Sequence, residues 1–131
     1  HNDTALRLAQ VPNIIGIKDA TANLERGADL IRRAPRGFAI YSGDDAMTLP
    51  LLAVGAVGLI GVATHWVAAD VVELFDRWDS GDTRGARAVH DRLLESWSFE
   101  TGDEAPNPGP AKAMLRHLGQ PAGQLDRDDC R

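Results

Sequence analysis

Three short apolar runs, each followed by a stretch of helical periodicity, constrain the fold of this chain most strongly. The runs cover residues 14–17, 38–41 and 58–62. Short, continuous, largely apolar runs are typical of strands buried on both faces of a parallel sheet. The helices predicted after them cover residues 23–34, 47–54 and 65–79. Because strands that alternate with helices form parallel sheets with right-handed crossovers, this order predicts an α/β fold.

The predicted sheet is too small to make a complete domain. Three parallel strands would leave two open edges and half of their apolar surface uncovered. The remaining predictions are helices at residues 3–10, 82–96 and 111–118 and a Gly/Pro-rich loop at 102–110. The chain also lacks an initiator methionine. We therefore expect the C-terminal part of a larger α/β protein, and we expect the isolated chain to aggregate through its uncovered surfaces.

The composition excludes several classes of function. The 131 residues include 14 basic and 19 acidic side chains, which give a formal net charge of -5. Nucleic-acid binding needs a basic surface that this balance does not provide. The single cysteine, Cys130, has no internal disulfide partner, and the first residues do not resemble a signal peptide. A cytosolic location is therefore expected.

An uncharged stretch at residues 46–69 is long enough to span a membrane. Pro50 and the glycines at 55, 58 and 61 interrupt it at spacings that suit turns. No basic residue lies close enough to either end to set an orientation. We predict no membrane span here, and a membrane anchor is the weaker alternative.

Lys18 is the candidate catalytic residue. It directly follows the first apolar run, at the carboxyl end of a predicted parallel strand, where α/β sheets and barrels form their active sites. Apolar surroundings disfavour a charged ammonium, and a neutral amine can attack a carbonyl carbon to form a Schiff base. The alternative is an ordinary lysine that extends into solvent from the end of the strand.

The segments after the second and third runs favour structural roles. Gly43 permits close backbone approach, and one of Asp44 and Asp45 is expected to cap the next helix. The glycines at 55, 58 and 61 do not have the spacing of a dinucleotide site, so we expect them to permit close packing. The four histidines lack metal-ligand spacing, and the three tryptophans are expected to pack in the interior. No metal or cofactor is predicted.

Three motifs together resemble a known family. They are G-I-K-D-A-T-A-N at residues 16–23, Y-S-G-D-D-A at 41–46 and G-A-V-G-L-I-G-V at 55–62. With the P-N-P turn at 106–108, they resemble the C-terminal half of the dihydrodipicolinate synthase (4-hydroxy-tetrahydrodipicolinate synthase) family. That family belongs, with N-acetylneuraminate lyase, to the pyruvate-dependent class I aldolases. The G-I-K motif is shared across this superfamily, whereas S-G-D-D is more particular to the synthases.

The resemblance implies a fold and a reaction. The fold would be a (β/α)8 TIM barrel, in which residues 1–69 supply strands six to eight and residues 70–131 supply the last barrel helix and a helical extension with an atypical tail. Lys18 would form the Schiff base with pyruvate, and Gly43 and the backbone of Ile60 would line the pocket beside it. The second substrate would be aspartate semialdehyde, on the diaminopimelate route to lysine, without a cofactor. The complete cytoplasmic enzyme would be a homotetramer.

The chain also departs from the family pattern. The family's proton-relay tyrosine and threonines, and the arginine that binds the aldehyde, lie on earlier strands; the single tyrosine here, Tyr41, lies on a different one. Ala22 stands where a glycine is usual, and residues 124–131 do not resemble the family's ending. We therefore expect the isolated chain to be inactive. The alternatives are another pyruvate Schiff-base aldolase, or an inactive barrel fragment that acts only in subunit association.

Overall fold

The computed structural model describes residues 1–101 and 106–123. In chain order the elements are α1 (Asn2–Leu8), β1 (Gly16–Asp19), α2 (Leu24–Arg33), β2 (Ala39–Ser42), α3 (Thr48–Ala53), β3 (Gly58–Leu59), α4 (Thr64–Asp79), α5 (Thr83–Glu100) and α6 (Gly109–His117). The chain divides into two compact units, His1–Gly61 and Val62–Arg131. The predicted alternation of strands and helices is confirmed. Cys130 and the atypical tail lie outside the described residues.

The first unit contains a three-stranded parallel sheet in the order β1-β2-β3. Lys18 pairs with Tyr41 between β1 and β2, and Tyr41 pairs with Gly58 between β2 and β3. β1 begins two residues later than the first apolar run, because the chain turns just before it through a hydrogen bond from the Ile14 N–H to the Val11 carbonyl (3.0 Å). Lys18 therefore lies within the strand, not after it.

Helices cover one face of this sheet. Ala5 of α1, Leu30 of α2 and Ile40 of β2 form a buried cluster. The partly buried side chains packed against it are Leu6, Ile17, Ile31, Ala34 and Phe38. Fully burying a leucine or isoleucine side chain contributes about 1.5 to 3 kcal/mol to folding. Because successive strand residues point to opposite faces, Lys18 and Tyr41 project from the face opposite Ile17 and Ile40.

Hydrogen bonds and ion pairs connect α1 to α2. The Asn2 side-chain amide donates a hydrogen bond to the Asp29 carboxylate (2.9 Å), and Arg33 forms ion pairs with Asp29 (3.0 Å) and Asp3 (2.5 Å). The Asn23 side chain caps α2 by accepting from the backbone N–H of Arg26 (2.9 Å), as the sequence predicts. These contacts orient the two helices that cover β1.

The second unit contains α4, α5 and α6. Buried positions at helical spacing follow one side of α5, namely Ala86, Val89, Leu93, Trp97 and Glu100. This pattern continues past residue 96, which explains why α5 ends four residues later than predicted. Trp97 is 2% exposed, and the Trp66 and Phe99 rings pack edge to face with centroids 6.3 Å apart. The packing role predicted for these two tryptophans is confirmed.

Within residues 1–101 and 106–123, no helix combines the length and the apolar character needed to cross a membrane.

Candidate active site

The three residues predicted for the site meet at one end of the sheet. Lys18 lies near the carboxyl end of β1, Gly43 directly follows β2 and Ile60 directly follows β3. Backbone hydrogen bonds continue past the strand ends, from the Gly43 N–H to the Asp19 carbonyl (2.7 Å) and from the Ile60 N–H to the Ser42 carbonyl (2.9 Å). Because all three strands run parallel, their carboxyl ends place these residues side by side.

The Lys18 side chain lies directly over the backbone of Gly43. A Cβ atom at position 43 would lie 2.7 Å from both Cγ and Cε of Lys18, and 2.8 Å from Cβ of Ala20. These distances are far shorter than the 3.5–4.0 Å at which two carbon atoms pack. Only glycine at position 43 therefore leaves the lysine stem where it is. The close approach that the sequence predicted for Gly43 is present, and its partner is Lys18.

Tyr41 belongs to the same surface, and sequence reasoning did not place it in the site. It is the direct strand partner of Lys18 and shares a sheet face with it. A Cβ atom at Gly58 would lie 2.9 Å from Cδ1 and 3.0 Å from Cε1 of the Tyr41 ring. The ring thus rests on the backbone of β3. The sequence feature that could have placed Tyr41 in the site is its two-residue spacing from Gly43, which puts both residues on one face of the sheet.

The turn after β1 begins with a buried carboxylate. Asp19 is 7% exposed, and its side chain accepts a hydrogen bond from the backbone N–H of Thr21 (3.0 Å). The next residue, Ala22, has a φ of 51°, in the left-handed region that favours glycine. This turn fixes the direction in which the chain leaves the strand that carries Lys18.

Asp44 and Asp45, which follow β2, make contacts within the loop that leads to α3 and with the chain after β3. The Asp44 carboxylate accepts from the backbone N–H of Met47 (3.0 Å) in the turn before α3. The helix begins at Thr48 with Met47 as its N-cap and has no side-chain cap, so the capping role predicted for one of the two aspartates is wrong. Asp45 is 2% exposed, and a Cβ atom at Gly61 would lie 2.5 Å from its Oδ2 atom. Glycine at 61 therefore permits close packing, as it does at 58.

The surroundings of Lys18 differ from the apolar enclosure expected from the sequence. Lys18 is exposed, because α1, α2 and α3 pack on the sheet's other face and the first unit places no element over this one. A cavity of about 300 Å³ does border Lys18, but α1, the edge of β1 and α2 line it, and neither Gly43 nor Ile60 does. Since β1 is one of the two outer strands of the sheet, this cavity follows an open sheet edge.

In the described residues, no group of three or more His, Cys, Asp or Glu side chains could hold a metal ion. His90 in α5 packs against Trp97, with ring centroids 4.8 Å apart, and burial lowers the pKa of His90. This histidine is part of the interior of the second unit.

Known proteins are similar to this chain in sequence and in structure. The model of the dihydrodipicolinate synthetase family matches residues 1–128. The chain is 40% identical over 123 residues to 4-hydroxy-tetrahydrodipicolinate synthase 1 of Halalkalibacterium halodurans, covering 94% of this chain and 41% of that protein. It is 47% identical over 118 residues to 4-hydroxy-tetrahydrodipicolinate synthase of Thiobacillus denitrificans, covering 90% of this chain and 39% of that protein.

The fold agrees with the sequence match. A crystal structure of dihydrodipicolinate synthase from Bacillus anthracis superposes with a TM-score of 0.89 at 33% sequence identity, covering 97% of this chain and 43% of that one. The chain thus spans about two-fifths of the length of the curated relatives that it matches. The match over residues 1–128 and the shared α/β fold lead to one conclusion: this chain belongs to the dihydrodipicolinate synthetase family.

Proposed function

We propose that this chain supplies β1, β2 and β3 as strands six to eight of a (β/α)8 barrel, and that Lys18 forms a Schiff base with pyruvate in the completed barrel. The observation that carries the proposal is the placement of the Lys18 stem over Gly43 at the carboxyl ends of parallel strands. Barrel enzymes place their reactive groups at this end. A lysine held there projects its amine toward the substrate.

The chemistry follows from an amine and a keto acid. The neutral Lys18 amine attacks C2 of pyruvate, and loss of water gives an imine. Loss of a proton from the C3 methyl group then gives an enamine. C3 attacks the aldehyde carbon of aspartate semialdehyde, the aldehyde oxygen takes up a proton, and Lys18 is released when water or another amine attacks C2. These steps consume no metal or redox cofactor, and their product would enter the diaminopimelate route to lysine.

In the completed barrel, Gly43 and Ile60 would line the substrate pocket beside Lys18. Gly43 gives the lysine room to cross the strand end, since any side chain would occupy the position of the lysine stem. The N–H of Ile60 donates to the carbonyl of Ser42, so the backbone group that Ile60 offers to a substrate is its carbonyl oxygen. Both contributions come from the backbone geometry of strand ends.

The remainder of the barrel completes the site. A further strand would pair with the open edge of β1 and fill the cavity beside α1. The enclosed barrel would exclude water from Lys18, which favours the neutral amine and strengthens every electrostatic contact with the substrate. In this arrangement residues 1–69 belong to the barrel and residues 70–131 to its last helix and the helical extension. The complete cytoplasmic protein would form a homotetramer, in line with the resemblance.

A second candidate function is a role in association alone. Lys18 is exposed, and both outer strands of the sheet have an open edge. Open strand edges pair readily with strands of another chain. In this second function the chain forms no complete active site, and it acts only by pairing with other subunits.

A chimera distinguishes the two functions. This chain would replace the matching part of the Thiobacillus denitrificans synthase, and we name the product the completed barrel. We expect it to condense pyruvate with aspartate semialdehyde, Lys18→Arg to abolish the activity, and the matched control Lys112→Arg to retain it. Both substitutions keep the positive charge, and these two positions are the only lysines of this chain. A folded completed barrel without activity would favour the association role.

A further inference from the structure

Tyr41 has no role in the function proposed above, although it lies beside the proposed nucleophile. Lys18 and Tyr41 are paired residues of adjacent parallel strands, so their side chains leave the same sheet face about 5 Å apart. The flanking residues of β2 point the other way, where Ile40 and Ser42 are buried. Tyr41 is half-buried on the open face. It is also the only tyrosine in the chain.

Each of these two side chains rests on a glycine of the next strand. Lys18 of β1 crosses Gly43 after β2, and Tyr41 of β2 crosses Gly58 of β3. A Cβ atom at either glycine would come within 3.0 Å of the side chain above it. The two glycines thus let Lys18 and Tyr41 lean across the sheet in the same direction, side by side.

We infer that Tyr41 is a positioning residue for Lys18: its ring, resting on Gly58, occupies the surface next to the lysine stem and keeps that stem over Gly43. This inference rests on the proposed function, in which Lys18 is the nucleophile. The ring carries this role, because the contact with Gly58 is made by ring carbons. Without the ring, the lysine side chain gains rotamers that point its amine toward β3 and away from the carbonyl carbon of pyruvate.

A spectroscopic test needs no substrate. Because the full chain has one tyrosine, labelling with 3-fluorotyrosine gives a single ¹⁹F resonance. We expect Lys18→Met to displace this resonance and the matched control Lys112→Met to leave it in place, with circular dichroism unchanged in both. If Lys18→Met leaves the ¹⁹F resonance in place, the ring is not beside the lysine and the inference is wrong.

Capture of pyruvate tests the consequence in the completed barrel. We expect Tyr41→Ala to lower the borohydride-trapping rate at saturating pyruvate by about tenfold, with little change in the half-saturating concentration, because the amine is misplaced. Tyr41→Phe keeps the ring and should restore most of the rate. Phe38→Ala, which removes a ring from the helix-covered face, is the matched control and should retain the rate.

The outcomes separate the two proposals. If no variant captures pyruvate while Lys18→Met moves the ¹⁹F resonance, the proposed function fails and the placement of Tyr41 stands. If capture occurs and Tyr41→Ala is as fast as the unsubstituted protein, the positioning role is wrong and the Schiff-base proposal stands. Loss of capture in Tyr41→Phe to the level of Tyr41→Ala would also overturn the inference, because it would assign the effect to the hydroxyl group.

Discussion

At the scale of single residues, backbone geometry sets up the site as much as side-chain chemistry does. Gly43 and Gly58 are needed because glycine has no Cβ atom. The side chains of Lys18 and Tyr41 occupy the space that a Cβ atom at these positions would fill. Ala22 shows the opposite case, because it holds a φ of 51° that its Cβ atom disfavours by about 1 to 2 kcal/mol. The sequence predicted Lys18 as a candidate from its place at a strand end, and it predicted close backbone approach at Gly43. It could not reveal that Tyr41 lies on Gly58, because that contact depends on the register between β2 and β3.

Replacing Ala22 by glycine should stabilise the protein. Relief of the left-handed strain outweighs the extra backbone entropy of glycine, so Ala22→Gly should raise the free energy of unfolding by about 0.5 to 1 kcal/mol. Urea unfolding of the completed barrel measures this difference. The matched control is Gly37→Ala, at a φ of 88° with no atom near the added Cβ, and it should destabilise the protein. Equal stability of Ala22→Gly and the unsubstituted protein would show that the turn relaxes around alanine.

At the scale of secondary structure, a polar cluster links α1 to α2. Hydrogen bonds from Asn2, Arg33 and Arg32 lower the pKa of Asp29 to about 2, from an ordinary value of 3.8. The periodic apolar pattern predicted both helices, but not this cluster, because α1 and α2 meet only once β1 has been folded between them. The exact ends of elements were also missed: β3 stops at Leu59, although the apolar run continues to residue 62, because the chain leaves the sheet at Gly61 to pack against Asp45.

The contacts of Asp29 with Asn2, Arg32 and Arg33 predict that the stability of the protein depends on pH. A carboxyl whose pKa is lower in the folded state stabilises that state above its unfolded pKa, and the contribution is lost as pH falls from about 4 through about 2. Asp29→Asn should therefore flatten the stability curve over this range, and Asn2→Ala should flatten it partly. Urea unfolding at closely spaced pH values measures the slope. An unchanged slope in Asp29→Asn would contradict the assignment.

At the scale of the whole chain, apolar surface remains open. Ile15, Val57 and Val72 are 78%, 57% and 58% exposed, and β1 and β3 each have an open edge. Counting three short strands was enough to expect this from the sequence, since three strands cannot close a barrel. The exposure of Lys18 could not be predicted in the same way, because it depends on which elements cover each face.

Association of the isolated chain follows from these surfaces. We expect sedimentation velocity of the 131-residue chain to show species larger than a monomer that increase with concentration, because open edges and apolar patches pair between copies. We expect the completed barrel to sediment as one species of fixed size, the proposed homotetramer, because its strand edges are paired. A monomeric isolated chain with a cooperative thermal transition would contradict this account of its surface.

The capture of pyruvate at Lys18 tests the central claim most directly. The completed barrel would be incubated with pyruvate, reduced with borohydride, and examined by intact mass and peptide mapping. The account predicts one 1-carboxyethyl group, the reduced imine of pyruvate, on the peptide that contains Lys18, and no adduct in Lys18→Arg. A folded completed barrel that gains no adduct at Lys18 would contradict the Schiff-base function and leave association as the role of this chain.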